Sequence, residues 1–195
     1  MNFLAHLYLS DNNSQIMIGN LIADHIRGNK FDHFPAEIQK GIFLHRKIDT
    51  FTDTHTIVKK SKRRLHERYG HYDGVIIDVF YDYFLAKNWH KYSDIPLITY
   101  TQNVYKILTK AEDILPQKTK DLLPYMIKYD WLYNYQFLEG IEEVLKGINK
   151  RTKGRSKMDL AIEDLKQHEH ELQNDFFLFF DDLISFVETE FIKNK

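Results

Sequence analysis

Apolar residues recur every three or four positions along nearly the whole chain. This spacing places them on one face of an α-helix, whereas the strict alternation of a half-buried strand is nearly absent. Only four prolines interrupt the pattern in 195 residues. The sequence therefore predicts an all-α fold, a single-domain helical bundle that spans residues 1–195.

Glycine and proline signals divide the pattern into nine predicted helices. Gly28 and Asn29 end the second helix, and Pro35 opens the third. The helices are expected near residues 2–9, 14–28, 35–53, 55–69, 73–89, 96–112, 117–128, 131–149 and 157–192. The phenylalanine-rich stripe of the last helix is interpreted as core packing, with a dimer surface as the alternative.

The overall composition excludes several classes of protein and site. There are 27 Lys and Arg residues against 28 Asp and Glu, so net charge gives no reason to expect nucleic acid or an anionic membrane as a partner. The absence of cysteine excludes disulfides and thiolate ligands, and any metal site must use histidines and carboxylates. No signal peptide or long apolar segment is evident, which predicts a soluble, cytoplasmic protein.

Two segments carry carboxylates at helical spacing. His45, Asp49 and Asp53 follow one another at intervals of four residues, and Asp78 and Asp82 repeat that interval in an almost wholly apolar setting. Side chains four residues apart lie on one helix face with their Cβ atoms about 5–6 Å apart. Carboxylates in apolar surroundings are rarely buried unless they are paired or bound to metal. This pattern predicts a cation site.

Three further polar residues lie among aliphatic neighbours: His6, Asn20 and Asp24. A helical bundle can bring such residues from several helices to one centre. A site made of nitrogen and oxygen donors suits Mn²⁺ first, with Mg²⁺ or Fe²⁺ as alternatives. The competing interpretation is a buried ion-pair network in which Arg27, Arg46 and Arg63 neutralise the carboxylates.

Several motifs occur in order along roughly the first 90 residues. They are MNFLAHL at 1–7, GNLIAD at 19–24, GIFLHRKID at 41–49 with Thr52 and Asp53, DVFYDYFL at 78–85, and Asn88 with Trp89. Together they resemble the acyl carrier protein phosphodiesterases, also called acyl carrier protein hydrolases. The resemblance implies an all-helical, HD-domain-like metal phosphohydrolase fold and the Mn²⁺-dependent removal of 4′-phosphopantetheine from holo acyl carrier protein.

This resemblance and the spacing together suggest roles for the polar residues. The metal would activate a water that attacks phosphorus. The expected ligands are Asp24, His45, Asp78 and Asp82, with Asp49 as a fifth ligand or as the residue that orients His45. The expected catalytic residues are Asp24, Arg46 as a phosphate clamp and His6 as the proton donor to the departing serine oxygen. Asn20 and Asp53 are expected to support these ligands.

Residues 59–68 contain six basic side chains out of ten. A solvated helix face is the simple explanation of such a run, and docking of an acidic carrier protein is the functional one. No nucleic-acid module is recognised beside the run. The predicted partner-binding residues are Lys59, Lys60, Lys62, Arg63, Arg64 and Arg68.

Two other functions remain open from the sequence. One is a metal phosphohydrolase of the same fold that acts on a small phosphoester or a nucleotide. The other is a metal-free helical adaptor that binds an acidic protein through the basic run. The first would keep the metal site, whereas the second would bind no metal and hydrolyse nothing.

Overall fold

The computed structural model describes residues 1–192, which fold into α-helices joined by short turns, with no strand among them. The all-α prediction is confirmed. Residues 193–195 of the predicted domain lie outside the described range. The α-helices are α1 Phe3–Tyr8, α2 Ser14–Ile22, α3 Ala36–Thr54, α4 Thr56–Tyr69, α5 Asp73–Lys87, α6 Leu97–Lys110, α7 Gln117–Lys128, α8 Trp131–Asn134, α9 Leu138–Arg151, α10 Ala161–Gln167 and α11 Glu169–Val187.

Three predicted helices differ from the observed ones. The second ends at Ile22 and is followed by a 3₁₀ turn over Ala23–His25. The predicted helix 131–149 is two helices, because Phe137 adopts an extended conformation between α8 and α9. The predicted helix 157–192 begins with a 3₁₀ turn and is interrupted at His168, where α10 ends before α11 begins.

Two glycines set the crossing of α2 and α3. A Cβ atom on Gly19 would overlap the carbonyl oxygen of Ile38, and a Cβ on Gly41 would overlap the carbonyl oxygen of Ile16. Only glycine permits this close backbone approach. The contact places Asn20 of α2 directly against the face of α3 that carries His45.

Helix α5 runs through the centre of the core, where nearly every residue from Ile76 to Ala86 is buried. The phenylalanines of α11 pack against it. Phe176 and Phe179 both contact the ring of Tyr81, and Phe176 also contacts Phe84. The interpretation of the last aromatic stripe as core packing is confirmed. Among the described residues, no helix is both long enough and apolar enough to cross a membrane.

Candidate metal centre

Three side chains from two helices meet at one point. Nε2 of His6, on α1, lies 3.2 Å from Oδ1 of Asp49, on α3. Nε2 of His45, also on α3, lies 3.1 Å from the other Asp49 oxygen. The two imidazole rings stack with 4.0 Å between their centroids, and one ligand atom from each of the three residues lies within 4.8 Å of the others. This arrangement can hold a single cation, and we call it the His6 cluster.

Asn20 fixes the orientation of both imidazoles. Its backbone carbonyl accepts a hydrogen bond from Nδ1 of His45 at 2.8 Å. Its side-chain oxygen lies 2.8 Å from Nδ1 of His6, while its side-chain nitrogen donates to the His6 carbonyl at 2.7 Å and to Ser10. A carbonyl oxygen can only accept, so both Nδ1 atoms carry the proton. Nε2 of each ring is therefore directed towards Asp49, and it can offer a lone pair to a metal when the ring is neutral.

The three groups of the cluster have strongly shifted pKa values. Burial, together with the adjacent His45, lowers the pKa of His6 to about 4. Burial also opposes charge on His45, but contacts with Asp24 and Asp49 outweigh it and raise the pKa of His45 to about 9. Although burial would raise the pKa of Asp49, the two imidazoles hold it well below its ordinary value. Asp49 is therefore an anion at neutral pH.

One side of the cluster is open. His6 and His45 are only 2% and 5% exposed, whereas the Asp24 side chain is 66% exposed and the Asp49 side chain 40%. Asp24 lies in the 3₁₀ turn that follows α2, with Oδ1 3.2 Å from Nε2 of His45, and this hydrogen bond lowers the pKa of Asp24. A buried ligand wall with an exposed face is typical of metal sites that accept a substrate.

The cluster fits a divalent cation. Nε2 of His6 is buried and has no hydrogen-bond partner despite its closeness to Asp49, which is an unusual condition for a buried polar atom. The donors are a carboxylate and two imidazole nitrogens, of which that of His45 loses its proton when a cation binds, and such sets bind Mn²⁺, Fe²⁺ or Zn²⁺. A bound cation would satisfy Nε2 of His6 and neutralise Asp49.

The two predicted ligands on α5 lie in different surroundings. Asp78 has Oδ1 3.1 Å from the Met1 ammonium group, which is also 3.9 Å from Asp49. Asp82 is fully buried and accepts hydrogen bonds from the backbone amides of Leu4 at 2.8 Å and Ala5 at 3.1 Å. Burial raises the pKa of Asp82 to about 7 against the effect of these amides.

Both carboxylate oxygens of Asp82 therefore accept hydrogen bonds from the start of α1. The N-cap residue of α1 makes no side-chain hydrogen bond to these amides. An anion at a helix N-terminus stabilises the free amides there. Leu4 and Ala5 directly precede His6, so this contact helps to keep His6 in the cluster. The predicted role of Asp82 as a metal ligand stays a prediction.

The structure also gives two other predicted residues different contacts. The Arg46 guanidinium donates to the Gly28 carbonyl and to Asn29, and it lies over the Phe31 ring. These contacts hold the loop after α2. None of them involves a residue of the His6 cluster. Asp53, expected to support the ligands, instead pairs with Lys62 at 2.9 Å.

Most of the predicted partner-binding run is neutralised within the protein. Asp175 of α11, which is 2% exposed, accepts from Lys60 and Ser61 at 2.9 Å and from Arg64 at 2.5 Å. Lys62 pairs with Asp53, and Arg68 pairs with Glu163 and Asp164. Two basic residues of the run, Lys59 and Arg63, are exposed and make no ion pair within the described residues. Through these ion pairs the run binds α4 to α3, α10 and α11, and its predicted role in partner binding stays a prediction.

Sequence reasoning missed two features of this region. Asp175 was not singled out, although, like Asp78, it lies beside an apolar run, at 176–180. The other is a cavity of about 1060 Å³ beside Asp24 and Asp78, lined largely by α5, α8 and α9. The sequence pattern does not indicate this cavity, because its wall combines residues that are far apart in the chain.

Comparison with known proteins gives a consistent assignment. The family model for acyl carrier protein phosphodiesterase matches residues 1–183. The protein of that name from Photorhabdus laumondii is 32% identical over 171 residues, which cover 86% of this chain and 85% of the relative. The one from Klebsiella pneumoniae (strain 342) is 31% identical over 191 residues, covering 97% and 99%.

No solved structure matches this chain, so the expected relation to the HD-domain fold stays a prediction. A third relative, from Yersinia enterocolitica, is 31% identical over 186 residues and carries the same name. The similarity extends well past the first 90 residues, through the helices that line the cavity. The chain belongs to the acyl carrier protein phosphodiesterase family.

Proposed function

We propose that this protein is a metal-dependent phosphodiesterase that removes 4′-phosphopantetheine from holo acyl carrier protein and leaves the apo carrier protein. Membership of the family supports the substrate and the reaction. The observation that carries the metal dependence is the convergence of Nε2 of His6 and Nε2 of His45 on Asp49. We expect Mn²⁺ as the metal, because carboxylates surround the open side of the cluster.

In this proposal His6, His45 and Asp49 hold the metal, and Asp24 and Asp78 border its open side. A divalent cation bound there would lower the pKa of a water molecule and offset the charge of the phosphodiester. Asn20 holds both imidazoles in the ligating tautomer. The buried histidine wall limits access of bulk water to one side of the site.

The role that we propose for His6 differs from the proton donor expected from the sequence. A buried imidazole with a pKa of about 4 is neutral at pH 7, so it has no proton on Nε2 to give to a departing serine oxygen. The same neutral Nε2 is well suited to bind a cation. We therefore place His6 among the ligands.

Mass spectrometry of holo acyl carrier protein incubated with this protein and Mn²⁺ tests the proposal. We expect loss of the phosphopantetheine mass, and no loss in EDTA. In water enriched in ¹⁸O, the label should enter the released 4′-phosphopantetheine and not the carrier protein, because water adds to phosphorus and the serine keeps its oxygen. The Asp49→Asn variant should be inactive, while Glu37→Gln, on the same helix and paired only with Lys40, should match the wild type.

The outcomes separate the competing functions. Metal-dependent hydrolysis of small phosphodiesters without any conversion of holo carrier protein would favour a small-substrate enzyme. Failure of the protein to bind Mn²⁺, Mg²⁺ or Fe²⁺ would overturn the metal-dependent mechanism and favour the adaptor. Label in the carrier protein would reject attack at phosphorus.

A further inference from the structure

A cavity of about 1060 Å³ opens directly beside the His6 cluster. Asp24 and Asp78, which border the open side of the cluster, also form part of its wall. The rest of the wall comes from the first residues of the chain, from α5, and from the segment containing α7, α8 and α9. On α9 the lining residues follow helical spacing and include Gly140, Glu143, Val144, Gly147, Ile148 and Arg151. That face of α9 extends for about 16 Å at 1.5 Å per residue.

The wall is mainly apolar, with a few polar groups. Trp131, Phe137 and Ile148 contribute apolar surface, while Asn2 and Asn134 contribute side-chain amides. Pockets that bind whole small molecules have volumes of about 300–1,000 Å³ and this same mixture of apolar walls and sparse polar groups. The three residues that we assign to the metal do not line this cavity, so metal binding alone does not explain it.

A phosphodiester at the His6 cluster carries two substituents. One is a serine on a folded carrier protein, which is too bulky to enter a cavity. The other is the slender pantetheine arm, whose dimethyl carbon and methylene groups suit apolar walls and whose two amides suit side-chain amides and carboxylates. We propose that the cavity binds the pantetheine arm of the substrate, and that Gly147 is the residue that keeps it open. This inference rests on the proposed function.

The two glycines of α9 on this wall differ in their surroundings. A Cβ on Gly140 would overlap the carbonyl oxygen of Asn134, so packing between α8 and α9 explains that glycine. A Cβ on Gly147 would have no atom within 4 Å. Glycine inside a helix destabilises it by about 1 kcal/mol relative to alanine, and packing does not explain this residue. The empty space in front of Gly147 is the space that the arm would occupy.

Enlarging Gly147 tests the inference by activity. We expect Gly147→Phe to lower kcat/KM for holo acyl carrier protein by about 10–200-fold, the range for a steric mismatch in a substrate pocket. Hydrolysis of bis(4-nitrophenyl) phosphate, which has no pantetheine arm, should change by less than twofold. Lys150→Phe is the matched control, since it adds the same ring at an exposed position of α9 outside the cavity wall, and it should keep wild-type kinetics and a helical circular dichroism spectrum.

A binding measurement provides a readout that does not depend on metal or turnover. Trp131 lines the cavity, whereas Trp89 is 4% exposed in the core and does not. Pantetheine added to the metal-free protein should change the fluorescence of the wild type and of Lys150→Phe, but not that of Gly147→Phe or Trp131→Phe.

The outcomes distinguish this inference from the proposed function. Wild-type kinetics for Gly147→Phe on holo carrier protein, or no fluorescence response of the wild type to pantetheine, would overturn the cavity assignment even if the enzyme cleaves its substrate. A fluorescence response in a protein that never converts holo carrier protein would support the cavity and contradict the proposed reaction.

Discussion

Two polar networks within residues 1–192, centred on Asp175 and on Asp49, are built differently. Asp175 is met by an ammonium group, a guanidinium and a hydroxyl, from Lys60, Arg64 and Ser61. Asp49 is met by the imidazoles of His6 and His45. In the Asp175 network both carboxylate oxygens accept hydrogen bonds, whereas in the His6 cluster one buried nitrogen has no hydrogen-bond partner.

The two networks differ in whether the partners of the aspartate can lose a proton at physiological pH. Lysine and arginine keep their charge at all physiological pH values, so the Asp175 network is a permanent clamp between α4 and α11. Imidazoles can lose a proton and then offer a lone pair to a cation. A saturated network of permanent charges therefore holds helices together, while an unsaturated network of titratable groups is suited to binding and chemistry.

Replacing His45 should have the largest effect on function. We expect His45→Gln to weaken Mn²⁺ binding by at least about 1000-fold, beyond the roughly 10–100-fold effect of groups that only support ligands. Isothermal titration calorimetry measures this. His55→Gln is the matched control, since His55 immediately follows α3 and contacts Asp182. Wild-type affinity in His45→Gln would place the cation elsewhere.

Removing both cations from Asp175 should have the largest effect on stability. The double variant Lys60→Ala/Arg64→Ala leaves a buried carboxylate without a counter-ion, which lowers the free energy of unfolding by about 3–5 kcal/mol. Urea denaturation measures the change. The matched control is Lys59→Ala/Arg63→Ala on the exposed part of the same helix, which should lie within about 0.5 kcal/mol of the wild type. Equal stability of the two double variants would show that the Asp175 network is not a clamp.

The pH dependence of metal binding should follow His45. Because its pKa is about 9 without metal, it must release a proton when a cation binds, whereas His6, with a pKa of about 4, is already neutral. Affinity for Mn²⁺ should therefore rise roughly 100-fold from pH 6 to pH 8, with one proton released per ion. Calorimetry at pH 7 in two buffers of different ionisation enthalpy counts the protons, and a count of zero or two would contradict this assignment.

Removing the side chain that orients His6 should have an intermediate effect. We expect Asn20→Ala to reduce Mn²⁺ affinity by about 10–100-fold, because the imidazole of His6 loses its fixed orientation, whereas the backbone carbonyl that holds His45 and all the ligands remain. Ser10→Ala, which removes the hydroxyl that accepts from the Asn20 side chain and donates to the His6 carbonyl, should reduce it far less. If the two variants bind Mn²⁺ equally well, the Asn20 side chain does not set the tautomer of His6.

The exposed basic residues of α4 should have the smallest effect. Lys59 and Arg63 keep their charge available to an acidic carrier protein, so Lys59→Ala/Arg63→Ala should raise KM by about two- to fivefold at low salt, since rim charges act mainly on association. The difference should vanish at high salt. A KM unchanged at low salt would remove α4 from the docking surface.

Much of the site could be predicted from the sequence because its residues interrupt apolar patterns. His45 and Asp49 are four residues apart on one helix, so their meeting follows from helix geometry. Their alignment with His6 depends on how α1 lies against α2 and α3, which the glycine crossing and Asp82 decide. The predicted roles of Arg46, Asp53 and Asp82 stay predictions, because helical spacing does not reveal which neighbour each side chain meets.

By itself, the sequence determined the fold class, the position of most helices and the set of polar residues from which a site could be built. Periodicity and local propensity act between residues that are near in the chain, so they can be read directly from it. Only the tertiary structure decided that Asp82 positions a helix, that Asp175 neutralises much of the basic run, and that α8 and α9 enclose a cavity. Each of these depends on contacts between residues at least 75 positions apart or on empty space, and neither leaves a periodic signal in the sequence.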